Sequence, residues 1–151
     1  MKQCYINEKT LMLVPLSQRN SEVFTLIVNK DQFVIDENKP TDVIKNSMYY
    51  HKASKGIEFS SIGILGRNRV PLLCVNHELD IFLFPIPIGF PESDSFIWVS
   101  KMHLSSVQTS NSNMSVIYFK ESPPFLFPSS NKVVKKVSGI NRFIRKLLLC
   151  K

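Results

Sequence analysis

The sequence has few of the features that mark secreted or membrane-spanning proteins. It contains three cysteines and no CxxC pair, so a disulfide framework is not expected and the thiols should be reduced. The longest apolar run, residues 81–90, has only ten residues and includes two prolines, whereas a membrane helix needs about 20 apolar residues. The opening MKQCYINEKT lacks the apolar stretch of a signal peptide, which predicts a cytoplasmic protein.

Motifs of enzymes and cofactor sites are missing as well. The chain has only five glycines and no glycine-rich phosphate loop, HExxH or GxSxG motif, so neither an enzyme activity nor a cofactor is expected. The spacing Cys74-x-x-His77, with His103 as a distant third ligand, is a weak zinc signal because structural zinc sites use four ligands. We therefore expect Cys74 to be buried, His77 to lie in a turn, and no metal to bind.

Positive charge is concentrated at one end of the chain. Lysines and arginines number 19 against 12 acidic residues, a formal net charge of +7. The first 130 residues carry equal numbers of the two signs, so the whole excess lies in residues 131–151. Such a concentration favours an anionic partner, which could be nucleic acid, anionic lipid or an acidic protein surface.

Strand patterns dominate the first 128 residues and predict an α+β fold with a mainly antiparallel sheet, as one domain over residues 1–151. One hairpin is predicted from residues 4–6 and 10–14, and a second from residues 22–28 and 32–36. A helix is predicted over residues 41–51, because Pro40 suits a first helical turn and apolar residues follow at helical spacing. Further strands are predicted at residues 59–65, 70–75, 79–84, 96–100, 104–108 and 114–120.

Two apolar segments are expected in the core. In the IFLFP run, residues 81–85, both faces of the strand are apolar, as in an internal strand. Pro85 and Pro87 are expected to end that strand because neither can donate a ladder hydrogen bond. Trp98 lies in an apolar run with little charge nearby, which favours core packing over a platform for stacking bases.

The last segment, residues 130–149, has the pattern of an amphipathic basic helix. At 100° per residue, most of its cations lie opposite one apolar stripe, which consists of Val133, Val134, Val137, Ile140, Ile144, Leu147 and Leu148. Six cations are candidate anchors for phosphate groups: Lys132, Lys135, Lys136, Arg142, Arg145 and Lys146. A basic amphipathic helix can also bind a membrane surface, but in a domain this small we expect the stripe to be docked and no membrane to be a partner.

A pair of arginines near the middle of the chain is a second candidate site. Gly66 and Asn68 predict a turn that carries Arg67 and Arg69 outward together. Paired arginines on a loop commonly contact phosphates or enter a minor groove. A solvated turn without a function is the other interpretation.

Several landmarks between residues 46 and 104 occur in the order and spacing of a known family. They are Ser47-Met48-Tyr49-Tyr50 with Gly56, Arg69-Val70-Pro71-Leu72, Ile81-Phe82-Leu83-Phe84-Pro85, and Trp98-Val99-Ser100 with His103-Leu104. With the opening Tyr5-Ile6-Asn7, the similarity covers most of residues 4–106. The sequence resembles the ComK family, the competence transcription factors of Gram-positive bacteria, and would be a short and divergent member of that family.

The resemblance implies an activator that binds A/T-rich double-stranded promoter DNA, mainly through the minor groove, as an oligomer. It also implies protein partners: a second copy of the chain or a paralogue, and a proteolytic adaptor. Two departures stand out, since Gly56-Ile57-Glu58 replaces the typical Gly-Arg-Lys and His51 replaces the glycine expected after the paired aromatics. The alternative is therefore a relative that does not bind DNA and acts through protein contacts with a full-length paralogue.

Overall fold

Ten strands and one helix make up the part of the chain that the structure describes. The structure is a computed structural model, and it describes residues 4–17, 22–51, 59–65, 68–87, 96–111 and 114–128. The elements are β1 (Thr10–Ser17), β2 (Val23–Asn29), β3 (Phe33–Asp36), α1 (Pro40–His51), β4 (Phe59–Leu65), β5 (Asn68–Asn76), β6 (Ile81–Pro87), β7 (Phe96–Ser100), β8 (Leu104–Asn111), β9 (Met114–Phe119) and β10 (Phe125–Pro128).

The strands form two antiparallel sheets. The larger sheet has seven strands in the order β3-β2-β1-β7-β6-β5-β4, and the smaller has three in the order β10-β9-β8. The predicted α+β fold with a mainly antiparallel sheet is thus confirmed. The predicted C-terminal helix, residues 130–149, lies outside the described residues.

The larger sheet is covered on both faces, which makes three layers. Where β1 pairs with β7, Leu13 and Trp98 point to one face, and Met12 and Val99 to the other. The first face packs against α1 through Val43, among others. The second face packs against apolar residues of β8, β9 and β10. This alternation is the two-residue period of a strand, with an apolar partner on each side.

The predicted core segments are confirmed. In β6, Ile81 and Leu83 are buried on the α1 side, and Phe84 is buried between the two sheets. Phe82 and Pro85 are half-buried. Trp98 is buried in the cluster beneath α1, so it packs in the core and offers no stacking platform.

The first predicted hairpin is wrong. Residues 4–7 form no strand, and they are held by side chains instead of a ladder. The Ile6 amide donates to Ser47 Oγ of α1 at 2.9 Å, and the Asn7 amide donates to Thr10 Oγ1 at 3.1 Å. Ile6 is fully buried under the helix. Burial of this apolar side chain, together with the two hydrogen bonds, holds the segment against α1 without strand pairing.

The other predicted strands are present, but several of their bounds differ from the prediction; β1 extends to Ser17, β5 begins at Asn68 and β6 begins at Ile81. β6 continues through Pro87 although Pro85 was expected to end it. β8 runs to Asn111 and is three residues longer than predicted. The strand β10 follows Pro123-Pro124 and was not predicted, because two successive prolines are typical of a break in a ladder.

Candidate nucleic-acid interface

Arg69 lies in the outermost pair of strands of the larger sheet. β4 is the last strand of that sheet, and its end pairs with the start of β5 as Leu65 with Asn68 and Ile64 with Arg69. Asn68 and Arg69 are thus already within the strand, whereas the sequence predicted a turn there. Arg67 lies outside the described residues. A hairpin at the sheet edge suits a contact with DNA, because loops and their flanks carry most binding residues.

The basic tail contributes no described geometry. Its six candidate anchors lie outside the described residues and remain predictions: Lys132, Lys135, Lys136, Arg142, Arg145 and Lys146.

Half of the six described lysines are paired with acids. Lys9 pairs with Asp31 at 3.5 Å, and Lys30 pairs with Glu121 at 3.2 Å. Lys101 lies 3.7 Å from an acid, Asp80, and its ammonium is 5.1 Å from the centre of the Phe82 ring. Within the described part of the chain, Lys39, Lys45 and Lys120 form no ion pair. These three are therefore the described lysines that no acid occupies.

The N-terminal end of α1 borders an acidic cleft. Its walls include three carboxylates, Glu22, Glu37 and Asp42, and one cation, Lys39, around a volume of about 600 Å³. Phosphate groups are repelled by such a net negative surface. The cleft is thus unsuited to nucleic acid.

The C-terminal end of α1 has exposed aromatic side chains and no carboxylate. Tyr49 and Tyr50 are 76% and 60% exposed. The Tyr50 ring stacks on Tyr5 with 4.0 Å between ring centres and 10° between planes. Lys45 is exposed one helical turn before Tyr49. The periodicity of α1 could have revealed this surface, because burial of Val43, Ile44, Ser47 and Met48 leaves Lys45 and Tyr49 on the opposite face.

His51 joins three elements at this end of the helix. Its Nε2 lies 2.6 Å from the Ile6 carbonyl oxygen, and its Nδ1 lies 3.2 Å from Asn76 Nδ2. Asn76 Oδ1 accepts the Leu79 amide at 3.1 Å, so the Asn76 NH2 group is turned toward His51. An NH2 group only donates, so Nδ1 accepts from it and Nε2–H donates to Ile6. The hydrogen bonds therefore make Nε2 the donor and Nδ1 the acceptor of this ring.

His103 has a comparable structural role. It is buried after β7, its Nε2 donates to the Glu8 carbonyl oxygen, and its backbone pairs with Ser100 and Lys120. Burial lowers the pKa of His103 below 6.5, because desolvation disfavours the imidazolium; nearby lysines act in the same direction, and the Glu8 hydrogen bond opposes it. His103 is therefore a neutral structural residue at pH 7.

The weak zinc signal finds no support in this geometry. No group of three histidine, cysteine or acidic side chains in the described ranges is arranged to hold a metal ion. His77 lies in a turn and is exposed, as predicted, whereas Cys74 is half-buried where full burial was expected. No helix in the described part of the chain has the length and apolar composition needed to cross a membrane.

The described fold does not bring Arg69 close to the C-terminal end of α1. Arg69 lies near the start of β5, and the end of β5 that touches His51 is seven residues further on. At 3.2–3.4 Å per residue, the two points are about 23 Å apart along the strand. A partner that contacts both must be an extended one.

Comparison with known proteins gives one family. The family model described as ComK protein matches residues 1–142 of the 151 residues. No curated protein and no solved structure gives a significant match.

Proposed function

The chain belongs to the ComK family, and on that basis we propose that it is a DNA-binding transcriptional regulator of competence genes that recognises A/T-rich promoter DNA. The family match over residues 1–142 carries this proposal, because ComK proteins are transcription factors of competence and not enzymes. The charge distribution supports it, since the excess of +7 lies within residues 131–151. Neutralisation of phosphates by such a cluster releases counterions and drives binding.

Two groups of cations have separate roles in this proposal. Arg67 and Arg69 enter the minor groove, whose negative potential is strongest in narrow A/T-rich DNA. The tail cations neutralise phosphates and carry no sequence information. They are Lys132, Lys135, Lys136, Arg142, Arg145 and Lys146.

A salt series with two duplexes tests the proposal. Fluorescence anisotropy with the full-length chain should show tighter binding to a labelled A/T-rich duplex than to a G/C-rich duplex of the same length. The logarithm of the affinity should fall linearly with the logarithm of salt concentration. Equal affinities for the two duplexes would refute the proposed preference for A/T-rich DNA. Failure to bind either duplex would refute DNA binding altogether.

The arginine pair is tested in the same assay. Arg67→Gln combined with Arg69→Gln should reduce the preference for A/T-rich DNA as well as the affinity, because narrow-groove electrostatics favour arginine. Lys120→Gln removes an exposed cation from the other sheet and is the matched control. An unchanged preference in the arginine variant would contradict the groove assignment.

The alternative function, regulation through protein contacts, has its own support. Strand β3 is an edge of the larger sheet, and it exposes Phe33 by 73% and Ile35 by 51%. Exposed apolar side chains on an edge strand favour pairing with another chain. Glu58 also stands where the family typically has a cation. The partners proposed are a second copy, a full-length paralogue and a proteolytic adaptor.

Co-expression distinguishes this alternative. Differently tagged copies of the chain and of a full-length ComK paralogue should yield mixed species on tandem purification. Phe33→Ser should weaken the mixed species if β3 forms the contact, whereas Tyr118→Ser, a change at an exposed aromatic on the smaller sheet, should not. Recovery of homotypic species alone would contradict the alternative.

A further inference from the structure

We propose that the exposed face of α1 carries a second DNA contact, in which Lys45 and Tyr49 bind the phosphate backbone. The inference rests on the proposed function and adds to it a site distinct from the arginine hairpin and the basic tail.

The helix presents these two side chains together. Lys45 and Tyr49 are four residues apart, so they lie on the same face of α1 on successive turns, with about 5–6 Å between their Cβ atoms. Both are exposed, whereas Val43, Ile44 and Met48 are buried against the larger sheet. A large aromatic side chain that is 76% exposed gains little from folding, so packing does not explain Tyr49.

The end of the helix is held in place around Tyr49. Its neighbour Tyr50 stacks on Tyr5, and His51 bonds to both Ile6 and Asn76. A site on a fixed element loses less conformational entropy on binding than a site on a loop. The last turn of α1 therefore presents Tyr49 in a defined direction.

The chemistry of the two side chains favours phosphate as the occupant. Lys45 forms no ion pair within the described residues, although Asp42, which borders the acidic cleft, lies one helical turn before it. A lysine ammonium neutralises one phosphate, and a tyrosine hydroxyl donates to a phosphate oxygen. Together they suit two neighbouring phosphates of one strand.

Matched variants of the full-length chain test the contact by anisotropy with the A/T-rich duplex. Lys45→Gln should lower the salt slope by about 0.9, because one phosphate contact is lost. Tyr49→Phe should weaken binding about three- to tenfold with an unchanged slope, because a neutral hydrogen bond releases no counterion. Lys120→Gln and Tyr118→Phe make the same chemical changes on β9 and its end, in the layer opposite α1, and should leave affinity and slope nearly unchanged.

The outcomes separate this proposal from the proposed function. If the wild-type chain binds the duplex and the α1 variants bind it equally well, the α1 contact is refuted and DNA binding stands. If the α1 and β9 variants weaken binding equally, the effect is one of total charge and the contact is again refuted. If the wild-type chain binds no duplex, both proposals fail. Melting temperatures equal to that of the wild type confirm that each variant is folded.

Discussion

Phe84 offers the sharpest test of the three-layer arrangement. It lies in β6 opposite Val99 of β7, and its ring is 1% exposed between the two sheets. The apolar cluster that contains it includes Ile97 of the larger sheet and, from the smaller sheet, Leu104, Ile117 and Phe127. Truncation to alanine removes the ring from a space that residues of two layers enclose, so the neighbouring backbone cannot easily collapse into it.

The expected cost of Phe84→Ala is about 3–5 kcal/mol, the sum of lost apolar transfer and of the cavity left behind. A domain of this size has a total stability of about 5–15 kcal/mol. At about 2–4 °C per kcal/mol, the melting temperature should fall by roughly 6–20 °C. Urea denaturation followed by far-UV circular dichroism gives the free energy directly, and differential scanning calorimetry gives the melting temperature.

Phe33→Ala is the matched control, because it deletes the same ring at a position that is 73% exposed. Its expected effect is within about 0.5 kcal/mol. Phe84→Leu, which keeps an apolar side chain of nearly the same reach, covers the case in which the alanine variant does not fold, and it should be destabilised less than the alanine variant. A loss below about 1 kcal/mol for Phe84→Ala would show that the two sheets do not pack over this ring.

Three further predictions concern the histidines and the tail. The pKa of His103 is lowered in the folded state, so its contribution to the free energy of unfolding should be fully present above about pH 7 and should be lost as the pH falls below 6.5. The variant His103→Gln should therefore show a weaker dependence of stability on pH in this range, measured by urea denaturation. A pH dependence equal to that of the wild type would contradict the assignment. His51→Ala should cost about 1–3 kcal/mol in urea melts, because the Ile6 carbonyl loses its donor, and Lys9→Ala, at an exposed ion pair, should cost less than about 1 kcal/mol. Replacement of Lys132, Lys135 and Lys136 by glutamine should lower the DNA salt slope by about one unit per lost contact and leave the melting temperature nearly unchanged; unfolding, or an unchanged slope, would show that the tail does not anchor phosphates.

The parts of the fold that the sequence predicted correctly are those where one short pattern decides the structure. The hairpin of β2 and β3 has a polar turn between two β-branched runs, and α1 has a proline start and an apolar stripe. The burial of Trp98 followed from the lack of charge around it. In each case the local pattern and the tertiary packing favour the same structure.

The errors occur where distant residues decide. Residues 4–7 carry a strand-like pattern, but Ser47 lies 41 residues from Ile6 and captures its amide. The role of His51 depends on Asn76, whose side chain is oriented by the Leu79 amide. The exposed face of α1 is a different case. Helical periodicity predicts which residues of α1 are buried, but it does not show what the exposed Lys45 and Tyr49 contact.

The prolines show what a local rule lacks. A proline cannot donate to a ladder, so an internal strand should end at one. Yet β6 includes Pro85, which pairs with Trp98 of β7, while the described pairing of β6 with β5 stops at Leu83. The same holds for Pro15 of β1, which pairs with Thr25 of β2 beyond the last pair with β7 at Leu13. Each proline therefore lies in a stretch with one neighbouring strand, where its missing N–H can face the unpaired side. The rule is correct for each residue, but it applies to stretches of strand and not to whole strands, and only the register reveals which stretches have two neighbours.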